Sequence, residues 1–392
     1  MMKLPSLKKT LFALLATTLV AMLAACGGTS GTGGGGNTPQ NVALTLYSSG
    51  DVNVQSLWKN TLIPQFEKSH PNITVNLVFA EHGTIDSTTL AKLSASVAAK
   101  KDPGMDVIDA GLIQPAAIAH LLLPITAQDV PLVAHVDPTL LQQVNNDGVP
   151  YRASSVVLAY NTQYVQDPPP TKLSDVLAWI KAHPGKFTYN TPNSGGSGHA
   201  FVEAVVDSHL TSDNLHTFVT GQDAATGYNT TVETAWQAGL QELHSLNPSI
   251  YRNGFYPNGN TAVLQLLGNG SISMAPVWSD QALTALSQKQ LPASVKLTQL
   301  DPPLNGGPAY LGIPVNTTHP KEAYELVNWV LGADVQATII SAMHGFPGVQ
   351  WSYVPPEVQQ QYASIAHAYG TGFSSKFSAD LNKQWQTQVA AS

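Results

Sequence analysis

The chain has 392 residues, a length that corresponds to two or three domains of ordinary size. Lysine and arginine number 18 against 25 acidic residues, a formal net charge of −7, so nucleic acid is not an expected partner. A single cysteine excludes a disulfide framework and any metal site built from several cysteines of one chain. Charged residues make up only 11% of the sequence and hydrophobic residues 43%, which is enough apolar material for a sizeable core.

The first 25 residues have the pattern of a secretory signal peptide. Lysines at positions 3, 8 and 9 precede an uncharged apolar run that is shorter than the roughly 20 residues of a membrane-spanning helix. The run leads into Leu23-Ala24-Ala25-Cys26, which resembles the lipobox at which bacteria cut a signal peptide and attach lipid to the cysteine. An ordinary signal peptide with an incidental cysteine is the alternative. We expect an exported protein, anchored to the outer face of the cell membrane by lipid on Cys26 alone.

Residues 26–40 form a glycine-rich segment without apolar periodicity, which predicts a flexible tether. After it, short apolar runs alternate with helical patterns. Strands are predicted over 42–47, 73–79 and 105–109, with helices over 55–69 and 87–100 between them. This alternation is typical of a parallel sheet with right-handed crossovers.

A second α/β region begins after residue 151. Its predicted strands and helices follow the same alternation of apolar runs and amphipathic segments. The strands are predicted over 155–160, 187–189, 271–277, 295–300 and 310–315. The helices are predicted over 173–183, 200–207, 232–246, 261–267, 321–331 and 334–343.

Ligands of open α/β sheets bind outside the carboxyl ends of the strands, which selects the loops that follow the predicted strands. Polar and aromatic side chains on these loops, with one tyrosine at the start of the last strand, are the candidate ligand-binding residues. They are Ser49, His82, Asp109, Asn193, Ser194, Gly196, Ser197, Trp278, Asp280 and Tyr310.

The glycine-rich loop over 193–199 allows backbone N–H groups to approach a carboxylate, a phosphate or a row of hydroxyls, since a helix follows it. A turn and helix cap without a ligand is the alternative. Trp278 and Tyr310 offer aromatic faces to a sugar or a cation, or pack into the core instead. Asp109 and Asp280 either bind hydroxyl or ammonium groups or cap helices. His82 is expected to be a polar residue of the cleft rather than a metal ligand.

Enzyme signatures are incomplete in this sequence. The zinc motif H-E-x-x-H and the phosphate-binding loop G-x-x-x-x-G-K-[ST] do not occur. Residues 56–59 fit S-x-x-K and residues 212–214 fit S-D-N, but the K-T-G that completes the penicillin-binding set is missing. We therefore predict no catalytic residue, no metal and no cofactor. An exported hydrolase of another type and a sensor lipoprotein stay open as alternative classes.

Several short segments, taken in order, resemble a known family. They are residues 44–50, 63–68, 70–75, 106–109, 155–161, 168–172, 270–274 and 312–315. With the lipobox before them, the chain resembles the extracellular solute-binding proteins of bacterial ATP-binding-cassette importers, of the family-1 type that includes maltose-binding proteins. The segments 185–189 and 193–202 are similar to a subgroup with thiamine-like or other small polar ligands.

The resemblance implies an α/β fold of the two-lobe periplasmic-binding-protein type (type II), with the ligand in a cleft between the lobes. Lobe one would comprise 41–152 plus 313–345, and lobe two 153–312 plus 346–392. Hinge crossings would fall near 153–156 and 311–314. The implied partners are a small solute and the subunits of a membrane permease, and the protein would act as a monomer.

The ligand class is not settled by the sequence. Serine, asparagine, glycine and aromatic residues in loops of low charge favour a neutral hydroxylated solute such as a sugar. The glycine-rich loop leaves an anionic or phosphorylated ligand open. Asp109, Asp280 and Glu81 leave a cation such as a polyamine or thiamine open as well.

Overall fold

The structure is a computed structural model that describes residues 41–81, 83, 85–221, 230–361 and 369–390. These residues belong to one compact unit that begins at Asn41. The predicted signal peptide, the predicted tether, Cys26 and His82 lie outside the described residues.

The strands follow the predicted order with shifted ends. They are β1 (Val42–Gly50), β2 (Ile73–Glu81), β3 (Val107–Asp109), β4 (Gly148–Asn161), β5 (Met274–Trp278), β6 (Val295–Thr298), β7 (Gly306–Gly312) and β8 (Phe346–Pro347). The strand predicted over 187–189 is reduced to bridges of Phe187 with Ile250 and Met274. The strand predicted over 310–315 starts earlier and ends at Gly312.

The helices match most of the predicted helical patterns, and several short ones were not predicted. They are α1 (Val52–Ser56), α2 (Ile63–Ser69), α3 (Asp86–Ala98), α4 (Ile113–Ile118), α5 (Pro138–Gln142), α6 (Leu173–Ala182), α7 (Gly196–Asp207), α8 (Ser212–Thr220), α9 (Thr230–Glu233), α10 (Gln237–Ser245), α11 (Asn260–Gly268), α12 (Ser279–Ser287), α13 (Pro320–Val330), α14 (Ala333–Met343), α15 (Pro356–Gln361) and α16 (Ser375–Trp385).

The helix predicted over 55–69 is not interrupted at Pro64. A wider π-helical turn, Leu57–Leu62, joins α1 to α2 and places Pro64 in the first turn of α2. Proline lacks the N–H that would continue the helical hydrogen-bond ladder, and the wider turn accommodates it within the helical segment. The continuous segment buries Trp58, Leu62 and Phe66 completely.

The sheet has the strand order β2-β1-β3-β7-β4-β5, and β6 and β8 also pair with β4. Strand β1 is parallel to β2 and to β3, which confirms the parallel arrangement expected for the first strands. Strand β7 runs antiparallel to both β3 and β4. The carboxyl ends of β1, β2 and β3 therefore meet at one edge, where the loop after β1 enters α1.

Strand β4 is a single strand of 14 residues that changes partner midway. Up to Ser155 it pairs with β7, and from Val156 it pairs with β5. The change falls within the segment 153–156, whose role as a hinge stays a prediction. The segment 311–314 was expected to be the second hinge crossing. Gly312 pairs with Ile108 of β3, so the start of this segment lies beside the parallel strands β1, β2 and β3.

Buried apolar residues form separate clusters. The two largest contain residues of β4 from before and after its change of partner, respectively. The first core includes Leu44, Phe66, Val149, Leu326 and Val358. The second core includes Val156, Phe201, Met274, Phe377 and Trp385. Smaller clusters lie beside each of them.

The first core contains residues that the sequence prediction assigned to lobe two. Val349, Val354 and Val358 pack in the first core, whereas the prediction assigned residues from 346 onward to lobe two. Leu311 also packs in the first core. Packing thus favours a later start for the last segment of lobe two, after residue 358.

No single helix of the described ranges has both the length and the apolarity needed to cross a membrane. Helices α13 and α14 meet these criteria only as a pair, which is bent by 68°.

Candidate functional site

Loops attached to the two cores meet through direct side-chain hydrogen bonds. Asn260 Nδ2 donates to Asp51 Oδ2 at 3.0 Å, and Asn53 Nδ2 donates to Asp280 Oδ2 at 3.2 Å. Asp51 and Asn53 follow β1, while Asn260 begins α11 and Asp280 lies in the first turn of α12. We call Asp51, Asn53, Ser154, Asn260 and Asp280 the central polar cluster.

Asp280 is the most connected residue of the central polar cluster. Besides the bond from Asn53, its carboxylate accepts a hydrogen bond from Ser154 Oγ at 2.5 Å and lies 3.9 Å from Arg152 Nη1. Burial raises the pKa of Asp280, against the opposing effects of the Arg152 charge and the Ser154 hydrogen bond. The carboxylate thus joins α12, the strand β4 and the loop after β1.

Asp109 lies beneath this cluster and not at its surface. Its Oδ2 accepts hydrogen bonds from Ser48 Oγ, Trp58 Nε1 and the Tyr151 hydroxyl, each at 2.8 Å. The residue is 1% exposed, and burial raises its pKa although the Arg152 charge opposes the rise. Contact between Asp109 and a ligand stays a prediction that would require this buried group to rearrange.

Arg152 connects the two buried carboxylates. Its Nε donates to the Tyr151 hydroxyl at 2.9 Å, and that hydroxyl donates to Asp109. The other end of the guanidinium faces Asp280. One guanidinium therefore serves two buried carboxyl groups.

Ser49 is fixed by a carboxylate at the start of α3. Its hydroxyl donates to Asp86 Oδ2 at 2.9 Å, and the Tyr47 hydroxyl donates to Asp86 Oδ1 at 2.8 Å. The backbone N–H of Gly111 also donates to Asp86, at 3.2 Å. Asp86 thereby holds the loops after β1 and β3 together, and Ser49 is 8% exposed.

The glycine-rich loop is held by two asparagines. Ser197 Oγ is 2.9 Å from both Asn190 Oδ1 and Asn260 Oδ1. The N–H of Gly198 donates to Asn190 Oδ1 at 2.9 Å. That N–H was expected to approach a ligand and is occupied by a protein acceptor instead.

The remaining candidates on this loop differ in exposure. Asn193 is exposed. Ser194 Oγ accepts a hydrogen bond from the N–H of Gly259 at 2.9 Å, which ties the loop to the start of α11. Gly196 lies against the Trp278 indole, because a Cβ added there would come within 2.6 Å of Trp278 Cζ2.

The two aromatic candidates lie in different places. Trp278 is partly exposed, packs beside the second core and immediately precedes α12, so it adjoins the central polar cluster. Tyr310 packs against a different apolar cluster, and its hydroxyl lies 2.8 Å from the Leu140 carbonyl and 2.9 Å from Gln143 Oε1. Tyr310 therefore faces the segment of α5 and is not brought together with Asp280 and Trp278.

With this geometry in view, we compared the chain with known proteins. It matches the family described as bacterial extracellular solute-binding protein over residues 61–365. The chain belongs to this family. Membership implies export from the cytoplasm, and it agrees with the resemblance noted in the sequence. No protein of curated function matches the sequence.

Solved structures share the fold of this solute-binding protein at low identity. Maltose-bound MalE3 of T. maritima has a TM-score of 0.66 and 17% identity, over 89% of this chain and 94% of that one. An ABC transporter substrate-binding protein from Bradyrhizobium japonicum has a TM-score of 0.65 and 18% identity, over 88% and 99%. The spermidine/putrescine substrate-binding protein PotD of Streptococcus pneumoniae has a TM-score of 0.62 and 13% identity, over 88% and 99%. These likenesses confirm the periplasmic-binding-protein fold.

Two cavities of this solute-binding protein lie away from the central polar cluster. One of about 500 Å³ is lined by residues that include His70, Trp329 and Asp334, on the outer side of the first core. Another of about 460 Å³ lies along α14. Neither cavity is lined by a residue of the central polar cluster. In that cluster, side chains of the segments attached to the two cores contact each other directly.

Several residues of this site were not singled out from the sequence. Asn53, Asn260 and Asp86 each sit at or near a helix start, where polar residues are ordinary caps. Arg152 is one of only two arginines in the chain, and this scarcity together with its place in an apolar run was the available signal. Their roles depend on partners distant in sequence.

Proposed function

We propose that the protein is the substrate-binding lipoprotein of an ATP-binding-cassette importer, which captures a small polar solute and delivers it to permease subunits. The observation that supports this proposal most directly is the central polar cluster. Side chains of segments attached to both cores form direct hydrogen bonds there. Family membership and the fold support it. Among the structural neighbours, MalE3 of T. maritima is bound to maltose, and PotD of Streptococcus pneumoniae is the substrate-binding protein of a spermidine/putrescine ABC transporter.

Capture would use movement of the two cores about β4 and the chain leading into β7. A hydrogen bond to a charged group contributes about 1.5–3 kcal/mol net, so the two direct bonds to Asp51 and Asp280 stabilise the closed arrangement by only a few kcal/mol. A solute bound by both sides adds its differential affinity for the closed state. The lobes in this proposal are the segments built on the first and the second core.

The nature of the solute is the finer part of the proposal. The sequence favours a neutral hydroxylated solute such as a sugar, and it leaves charged solutes open. A polyamine, thiamine or a phosphorylated compound would use the same cleft.

The experiment is a binding screen combined with small-angle X-ray scattering on the purified protein. The panel contains maltose, putrescine, thiamine and inorganic phosphate. A true ligand at about 100 times its dissociation constant should stabilise the protein by about 2.7 kcal/mol, seen as a rise in Tm. The same ligand should reduce the radius of gyration of a monomer and be recovered unchanged.

Two results would contradict this function. A compound that is bound and chemically converted would identify an exported enzyme. A compound that raises Tm without any change in the radius of gyration would argue against closure as the mechanism.

The lipid anchor is a separate part of the proposal and has its own test. Replacing Cys26 with serine removes the only thiol to which lipid could be attached. We expect the wild-type protein in the membrane fraction of the host and the Cys26→Ser variant in the soluble fraction or the medium. A Cys26→Ser variant that stays in the membrane fraction would show that no lipid at this position holds it.

A further inference from the structure

The central polar cluster contains a buried hydrogen-bond acceptor that lacks a donor among the described residues. Asn53 is 8% exposed, and its Nδ2 is used by Asp280. Its Oδ1 is buried and has no donor among the described residues. The orientation of the amide is fixed because the reversed amide would place its oxygen against the Asp280 carboxylate.

Acidic side chains outnumber basic ones among the charged groups named in this region. Asp51, Asp109 and Asp280 are three carboxylates, and the Arg152 guanidinium is shared between Asp109 and Asp280. His344 lies near Asp280, but burial lowers its pKa, so it does not carry a full positive charge at neutral pH. The groups named here are thus three carboxyl groups and one guanidinium, with a histidine whose positive charge is reduced.

The helix N-termini at this site do not make it favourable for an anion. Helices α1 and α12 begin here, and a helix N-terminus attracts negative charge. Both positions already carry protein carboxylates, those of Asp51 and Asp280. An incoming anion would meet these carboxylates first.

An aromatic face completes the arrangement. Trp278 directly precedes α12 and remains partly exposed. Tryptophan is the side chain whose face attracts a cation most strongly. Its position is set by Gly196, which lacks the Cβ that would collide with the indole.

We propose that the captured solute carries a protonated amine, held by Asp280, Asp51 and the Asn53 carbonyl and covered by the Trp278 face. This inference rests on the proposed function and names the ligand class of the same site. An ammonium group brings several donors and no acceptor, so it supplies the donor that Asn53 Oδ1 lacks while the existing bond from Asn53 to Asp280 remains. A fully ionised phosphate brings acceptors and negative charge, so it would not supply the donor that Asn53 Oδ1 lacks.

The test uses isothermal titration with putrescine, spermidine, agmatine, choline and thiamine as amine probes, and with maltose and inorganic phosphate as the others. We expect an amine to bind, and its affinity to fall at least tenfold in each of the variants Asp280→Asn and Asp51→Asn. The Asp213→Asn variant changes the same charge at an exposed position on α8 and should bind within twofold of wild type. Affinity should also fall between about 50 and 500 mM salt, because a cation is screened and a sugar is not.

Folding of each variant is checked by its melting temperature, and Asp51→Asn keeps the test available if Asp280→Asn does not fold. Binding of maltose with compaction, and of no amine, would overturn the amine class and leave the importer function standing. Amine binding that both variants retain would overturn the proposed site. Absence of any binding or compaction would count against the amine class and the importer function together.

Discussion

Replacing Gly198 with alanine is expected to destabilise the protein by about 3 kcal/mol or more, at the upper end of the cost of overpacking. A Cβ on Gly198 would come within 1.9 Å of the Asn190 carbonyl oxygen, which is a backbone atom and cannot rotate away. The displacement would also break the bond from the Gly198 N–H to Asn190 Oδ1. Urea unfolding followed by circular dichroism measures the loss.

Gly111→Ala is the matched control for this prediction. A Cβ on Gly111 would meet only the Asp86 carboxylate, at 3.4 Å, an ordinary contact distance. We expect the control to change the free energy of unfolding by less than about 1 kcal/mol. Equal losses in both variants would mean that close packing of the glycine-rich loop is not the cause.

Replacing Arg152 with methionine is expected to cost about 3–5 kcal/mol, the range found when one partner of a buried ion pair is removed. Methionine keeps much of the apolar volume but leaves Asp109 and Asp280 buried without their cation. The Arg152 side chain is 13% exposed, so water can replace little of the lost interaction. Lys321→Met is the control, because Lys321 is 81% exposed and pairs with Glu325 on the surface, where such pairs contribute about 0–1 kcal/mol.

The loss caused by Arg152→Met should depend on pH. The pKa values of Asp109 and Asp280 are raised in the folded protein, so folded molecules bind protons more tightly than unfolded ones, and stability falls as pH rises above the ordinary carboxyl pKa. Without Arg152 these pKa values rise further. The difference between variant and wild type should therefore shrink as the pH falls toward the ordinary carboxyl pKa of about 4. A loss that is independent of pH would show that packing, and not charge, is what Arg152 supplies.

Local patterns were sufficient for most of the fold. Strand β1 is buried without interruption over residues 46–49, as expected for a parallel strand covered on both faces, and its end at Gly50 is marked by serine and glycine. The same holds for α13, whose buried residues recur at helical spacing. The prediction for 187–189 was wrong in extent, because apolar residues at that point serve core packing more than strand pairing.

The candidate site was predicted less completely. The rule on strand ends selected the segments that contain Trp278 and Asp280, and their contact with a ligand stays a prediction. The contacts between these segments could not be predicted from the sequence. Asn53 and Asp280 are 227 positions apart, and Asp51 and Asn260 are 209 apart. No spacing in the sequence encodes such pairs. Burial of Asp109 was missed for a related reason, since its hydrogen-bond donors come from three different elements.

The way in which the chain returns to the first core has a consequence for how the protein folds. Leu44 and Val358 pack in the same core, and Val156 and Val389 pack in the other. Neither core can be completed until nearly the whole chain has been synthesised, and contacts between distant residues slow folding because long loops must close first. A chain that folds late remains unfolded for longer after synthesis. For an exported protein that passes through a narrow translocation channel, late folding keeps the polypeptide in a form that can still be threaded.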